Sequence, residues 1–369
     1  MNSTLTPSNT TDLAEAVRAT PHVLAVGALT KPRLSAVDCT KISTAKLNGI
    51  IEYDPSEFTF TAMAGTPLRD IIAALAKCGQ YLPFDPMLVN AGATLGGTVA
   101  SGLSGPGRFR FGGLRDFILG VQFVDGAGRV LRLGGKVVKN AAGFDLPKFF
   151  VGSLGRFGIL TELTFKVFPS PGSRVTLLLE VDGPEAIIPI LSKAGNSRWE
   201  VEALDVLPDR KSVALRLGGP PKSLDAIASE ILKGWPGKKI TEAESDGLWS
   251  NLNEFRWASP ADSSHDVPEK SALIKVVLTP KNLVEFYRGL AAIPGAQAHV
   301  SAGGNVAFVR LTEATQATML DQQLIAQKLS AVTLRGNAPL WLGVRQNYKI
   351  SAAVKTALDA ERYFPSLDD

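Results

Sequence analysis

Cysteine is almost absent from this chain: Cys39 and Cys78 are the only two in 369 residues. There is no C-x-x-C and no Cys/His spacing of the kind that holds a metal. An iron–sulfur cluster housed in this chain is excluded as well, because it would need about four thiolate ligands. Two free thiols in a reducing, cytoplasmic setting is a better reading than one disulfide. Histidine is scarce: His22, His265 and His299 lie far apart. No apolar run approaches the ~20 residues that cross a bilayer. The start, MNSTLTPSNTTD, has no basic patch followed by an apolar core, so no signal peptide is expected. Blocks of one charge are missing too. Lys and Arg number 39 against 35 Asp and Glu, for a net charge of +4 that is scattered along the chain, which argues against nucleic acid as the partner.

What is present is glycine in one place. Ala91–Gly105, AGATLGGTVASGLSG, packs Gly92, Gly96, Gly97, Gly102 and Gly105 among Thr94, Thr98, Ser101 and Ser104. A strand or helix core has little use for so many glycines. A backbone pressed against a ligand needs them, because its N–H groups can then approach an anion closely. The anion expected is a nucleotide pyrophosphate. No G-x-G-x-x-G follows a strand, which disfavours the Rossmann dinucleotide fold.

Apolar residues make up 45% and charged residues 20%, the balance of a globular chain long enough for two or three domains. Thr11-Asp12 is expected to cap a helix over Leu13–Ala19. Strands are expected at His22–Gly27, Ser35–Cys39, Gly49–Tyr53 and Phe58–Met63, the last half-buried by its alternation. Thr66-Pro67 is expected to open a helix with a hydroxyl cap and proline in its first turn. Phe117–Val124 and Arg129–Leu133 read as strands joined by Asp125-Gly126-Ala127-Gly128. Asp145 can cap a short helix through Phe150, and Ile159–Phe168 is a further strand. Pro169-Ser170-Pro171-Gly172 punctuates a domain boundary. Beyond it, strand–helix–strand–strand–helix–strand fits residues 174–242 and again 271–336. Each would be a ferredoxin-like split βαβ unit, the two sharing one antiparallel sheet, with Pro189 interrupting the first helix. A C-terminal helix is expected over Ser351–Ala360.

The ordered series VGALTKP, NGIIEYDP, FTFTAMAGTPLRDI, YLPFDP, AGATLGGTVASGLSG, RFRFGGLRDFILGVQFVDGAGRV and VVKNAAGFDLPKFFVGSLGRFGILTEL resembles the FAD-binding domain of the vanillyl-alcohol oxidase, or PCMH, type. Within that family it is most similar to the FAD-binding subunits of glycolate oxidases. The resemblance covers residues 10–170 and weakens beyond. It implies an α+β protein. A PCMH-type FAD-binding domain of two α+β lobes would span residues 1–170. A cap with an antiparallel sheet and helices would span 171–345, and a helix and tail returning toward the FAD domain 346–369. It also implies the cofactor contacts. Gly27, Ala28, Leu29, Thr30 and Lys31 would form the first pyrophosphate loop. Thr94, Leu95, Gly96, Gly97 and Thr98 would contact the flavin nucleotide, with Ser101, Gly102 and Gly105 closing on the phosphates. Arg110, with Gly112, would face the phosphates in preference to Arg108 or Arg115. Gly158, Ile159 and Thr161 would meet the adenine end. Lys139, Gly143 and Asp145 match a structural K-x-x-x-G-x-D motif. The covalent members carry a histidine in the first loop and none stands here, so the FAD would be non-covalent.

Function follows as an expectation from the resemblance: FAD-dependent oxidation of a small 2-hydroxy acid, glycolate to glyoxylate, alongside a larger FAD-linked oxidase subunit and an iron–sulfur subunit. Oxidising a 2-hydroxy acid needs a cation for the carboxylate and a base for the hydroxyl. Arg256 and His265 are the candidates, with Arg345 and Lys349 as rival cations; a surface loop is the competing reading of that pair. Trp249 and Trp257 read as packing residues. Three alternatives stay open: an accessory or electron-relay subunit that carries FAD without its own catalysis, a scaffold that has lost the flavin, and a stand-alone flavoenzyme for another hydroxy acid.

Overall fold

The computed structural model describes residues 4–135, 146–259 and 270–369. Lys139, Gly143, Asp145 and His265 lie outside the described residues. The chain divides into two compact units. One comprises Met1–Ser104, Gly113–Ser170 and Asn347–Asp369, and the other Gly105–Gly112 and Pro171–Gln346.

The first unit holds two main sheets. A parallel three-stranded sheet runs Thr4–Leu5, Thr40–Ser43, Val23–Val26, with Thr40–Ser43 in the centre. The strand expected at Ser35–Cys39 therefore lies further along. Pro32 fixes φ and opens a single 3-10 turn over Pro32–Ser35 instead. The helix Thr10–Ala19 is capped by Asn9, whose Oδ1 accepts from the Asp12 N–H at 2.9 Å, not by the expected Thr11-Asp12. Its Leu13, Ala14 and Val17 pack with Val23, Ile42, Val124 and Ile159.

The second sheet of this unit is antiparallel, in the order Ile50–Asp54, Thr59–Met63, Ile159–Lys166, Ile118–Val124, Val130–Gly134. Thr59–Met63 lies inside the sheet, and Thr59 and Thr61 are buried along with Phe60 and Ala62, so the strand is covered on both faces and not half-buried. Threonine survives there because Thr61 Oγ1 and Thr164 Oγ1 satisfy each other at 2.9 Å. The helix Leu68–Ala76 begins at Pro67 without a side-chain cap. Thr66 ties down the preceding loop instead: its hydroxyl donates to Met63 O at 2.7 Å and accepts from the Gly49 N–H at 2.9 Å.

The second unit is built on nine antiparallel strands. Their order is Gly237–Lys239, Ser173–Glu180, Ser212–Gly219, Val201–Val206, Gln297–Ser301, Val306–Leu311, Ala272–Val277, Ser330–Gly336, Trp341–Gly343. The first four strands and the next four are each a complete split βαβ unit, joined edge to edge through Val206 and Val300. The helices Pro184–Asn196, Pro221–Gly234, Leu283–Ala291 and Ala317–Ala326 share one core with alternate strand residues such as Leu177, Leu215, Ile274 and Val309. Pro189 does not interrupt its helix. The side chains Ile187, Ile190, Leu191 and Ala194 are buried around it, and that packing outweighs one lost backbone hydrogen bond.

Candidate functional site

The glycine-rich run does not stay a loop. Leu95–Ser101 is a helix, capped at its start by Thr94, whose Oγ1 accepts from the Gly97 N–H at 3.2 Å, and ended at Gly102. The glycines are needed inside it for proximity. A Cβ on Gly96 would lie 2.8 Å from Ala64 Cβ and 2.9 Å from Ala64 O. A Cβ on Gly27 would lie 2.6 Å from Thr94 Oγ1. The strand Val23–Val26 therefore delivers its following loop directly against the start of the helix.

Between them is a cleft with about 760 Å³ of empty space, part of it open to solvent. Three segments supply most of the lining, Ala25–Lys31 with Leu34 and Ser35, Thr94–Ser101 through its small residues, and Ser153–Gly155 with Gly158 and Leu160, and Thr44 and Ala64 complete it. Leu29 is 56% exposed and holds a left-handed backbone at φ 53°, which directs the loop outward. Among the described residues Lys31 is the only ionisable side chain in the lining; it is buried, and its Nζ donates to Thr30 Oγ1 at 2.9 Å. The lining also holds Ser153, whose buried Oγ has no partner among the described residues.

Of the residues expected to bind the cofactor, the structure brings together Gly27, Ala28, Leu29, Thr30, Lys31, Thr94, Gly96, Gly97, Ser101 and Gly158 along this lining. Leu95, Thr98 and Gly102 belong to the helix but do not line the cleft. Ile159 faces the apolar core, and the Thr161 hydroxyl pairs with the Gln122 side chain at 2.8 Å. Gly105, Arg110 and Gly112 fall in the second unit, where Arg110 Nη2 donates to Glu200 Oε2 at 2.7 Å. Among the catalytic candidates, Arg256 is exposed on the 3-10 turn Arg256–Ala258 of the second unit. Arg345 stacks over Trp341 at 4.5 Å, and Trp249 is packed in the core with Nε1 donating to Thr176 Oγ1 at 3.0 Å. Arg108 and Arg115 are exposed.

Sequence reading missed Ser153, Leu154 and Gly155. The signal was available: Gly152-Ser-Leu-Gly-Arg-Phe-Gly158 repeats the glycine-and-hydroxyl texture of the first run, directly before a strand.

The donor set suits a nucleotide pyrophosphate: glycines where a side chain would collide, small residues and hydroxyls, one buried hydroxyl without a partner, and one lysine. Residues 2–134 match the family model described as "FAD binding domain". This stretch of the chain is an FAD-binding domain of that kind. FAD is its cofactor. The FAD domain has relatives in several oxidoreductases. A glycolate oxidase subunit GlcE of Escherichia coli is 40% identical over 209 residues, covering 56% of this chain and 56% of that protein. A glycolate oxidase subunit GlcD of Bacillus subtilis is 36% identical over 132 residues, covering 36% of this chain and 28% of that one. A D-lactate dehydrogenase of Anaerostipes hadrus is 35% identical over 147 residues, covering 40% and 30% respectively. The matches span less than two thirds of each of these relatives. The fold extends further than the sequence similarity: a solved alkyldihydroxyacetonephosphate synthase aligns with 98% of this chain and 75% of its own, at a TM-score of 0.70 and 14% identity.

Proposed function

We propose that this chain is the FAD-binding subunit of a glycolate oxidase-like complex that oxidises a small 2-hydroxy acid, glycolate, to the 2-oxo acid. The 40% identity with a glycolate oxidase subunit carries this reading, and the cleft around Gly27, Thr94 and Gly96 supports it. Bound FAD would supply the two-electron acceptor for hydride leaving the substrate carbon. The chain's own residues do the holding. Gly27, Gly96 and Gly97 keep this part of the lining clear of side chains, so the phosphates would meet the main chain directly. Lys31 supplies positive charge, and the hydroxyls of Thr94, Ser101 and Ser153 supply polar partners. The partners belonging to this reading are a larger FAD-linked subunit and an iron–sulfur subunit, which would receive the electrons.

One observation favours a second reading, in which the chain carries FAD without its own turnover. Among the described residues, Lys31 is the only ionisable side chain lining the cleft, so none of them offers a general base there. The absorbance spectrum of the purified full-length chain, followed during titration with glycolate or D-lactate, separates the readings. Flavin peaks that bleach support oxidation by this chain. Flavin peaks that bleach only with partner subunits added support the carrier. A protein that neither holds nor takes up FAD overturns both.

A further inference from the structure

We propose that Arg156 is a positioning residue for the cofactor, a brace that ties two cleft-lining segments to each other and to the C-terminal tail; the proposal rests on the FAD assignment. Arg156 does not line the cleft and is 2% exposed. Its Nη1 donates to Leu154 O at 2.5 Å, and its Nη2 donates to Leu34 O at 3.3 Å and to Asp369 O at 2.6 Å. Leu34 and Leu154 both line the cleft, and Arg156 reaches Leu34 across 122 residues of sequence. The main-chain oxygen of Arg156 in turn accepts from Lys355 Nζ at 2.8 Å. Lys355 also donates to Phe364 O at 3.1 Å and pairs with Asp359. Asp359, 2% exposed, closes the tail by accepting from the Tyr363 and Phe364 N–H groups at 2.7 and 3.1 Å. One network thus runs from the cleft into a tail that contributes no lining residue.

The chemistry asks for arginine. Packing alone would be served better by an apolar side chain of similar volume, because a buried guanidinium loses its hydration. That burial pushes Arg156 down to about 10, with Arg33 nearby lowering it further and Asp369 and Cys39 opposing the change. What the planar fork supplies in return is simultaneous donation to carbonyls from three separate segments, which a point-charge ammonium does less well. One of those carbonyls belongs to Leu154, whose left-handed backbone at φ 52° is costly for a branched residue and needs an external hold. Fixing the Leu34 and Leu154 peptides fixes the cleft edge that FAD must meet, before FAD arrives.

The test uses the full-length protein stripped of flavin and titrated with FAD. Arg156→Met should weaken FAD binding about ten-fold, the size expected for losing charge-assisted hydrogen bonds that only hold the walls in place. Arg156→Lys should recover part of that loss, which general destabilisation of the fold does not predict. Wild-type affinity in Arg156→Met overturns the proposal. A measurement on the unaltered chain covers the case in which Arg156→Met does not fold. FAD should slow amide exchange in Pro32–Ala36, in Ser153–Gly158 and also in Asp359–Asp369. Tail exchange indifferent to saturating FAD overturns the brace, whereas failure of the unaltered chain to bind FAD at all counts against the cofactor and not against Arg156.

Discussion

Gly27 and Thr94 are close enough that each sets the other's identity. A methyl on Gly27 would sit 2.6 Å from Thr94 Oγ1, so Gly27→Ala must push the helix start aside and should weaken FAD binding in a fluorescence titration. Thr94→Ala removes that oxygen and, with it, the cap on Gly97, at about 1 kcal/mol. Because the second change relieves the collision of the first, the double variant should be less destabilised than the sum of the two, by urea denaturation of all four proteins. Gly96→Ala has no such relief, since the Ala64 carbonyl lies in its way; a loss of about 1–3 kcal/mol is expected. Arg156 gives a pH signature. A base whose folded value is depressed contributes stability only above its ordinary range, and loses that contribution as pH falls through about 10. At neutral pH it is therefore a standing cost, and the stability of the parent relative to Arg156→Met should improve as pH is raised above about 10.

At the scale of elements, the nine-stranded sheet has one thin seam. Its halves meet where Val206 faces Val300, and Asp205 reinforces the join. Both Asp205 and His299 are fully buried. Asp205 Oδ1 accepts from the Ser301 hydroxyl at 2.9 Å and the Ala302 N–H at 3.0 Å, and its Oδ2 lies 2.7 Å from His299 Nε2. Asp205→Ala strands those buried groups together and should cost about 3–5 kcal/mol, read as an earlier thermal transition. Pro189 marks the opposite case. It is exposed inside a helix whose other face is packed, so Pro189→Ala restores one backbone bond and should raise the melting temperature. Both effects belong to the second unit and should leave the FAD affinity of the first unchanged.

For the whole molecule, cofactor and fold are linked by mass action. FAD at a hundred times its dissociation constant should stabilise the chain by about 2.7 kcal/mol, visible as a rise in melting temperature in calorimetry. An unchanged transition at saturating FAD would contradict the assignment of the cleft. Among the described residues no helix is long and apolar enough to cross a membrane.

The motif series from VGALTKP to GSLGRFGILTEL carried a resemblance to PCMH-type FAD-binding domains, and strand and helix periodicity carried the expectation of two ferredoxin-like repeats in one antiparallel sheet. The repeats rest on apolar period and turn residues, and the anion cradle on glycine and hydroxyl spacing, all of which a linear chain displays. The sequence could not show that Thr59–Met63 is covered on both sides, that Thr66 holds a loop and not a helix end, or that Arg110 pairs with Glu200. Nor could it show that the glycines at 96 and 97 sit inside a helix. Each of these depends on a neighbour supplied from elsewhere in the chain: Thr164 for Thr61, Ala64 for Gly96, Leu34 and the tail for Arg156. The sequence by itself pointed to many of the residues that could meet a nucleotide, though not to Ser153, Leu154 and Gly155. Tertiary structure decided which of them meet each other, because burial and hydrogen-bond partners are properties of the packed chain and not of its order.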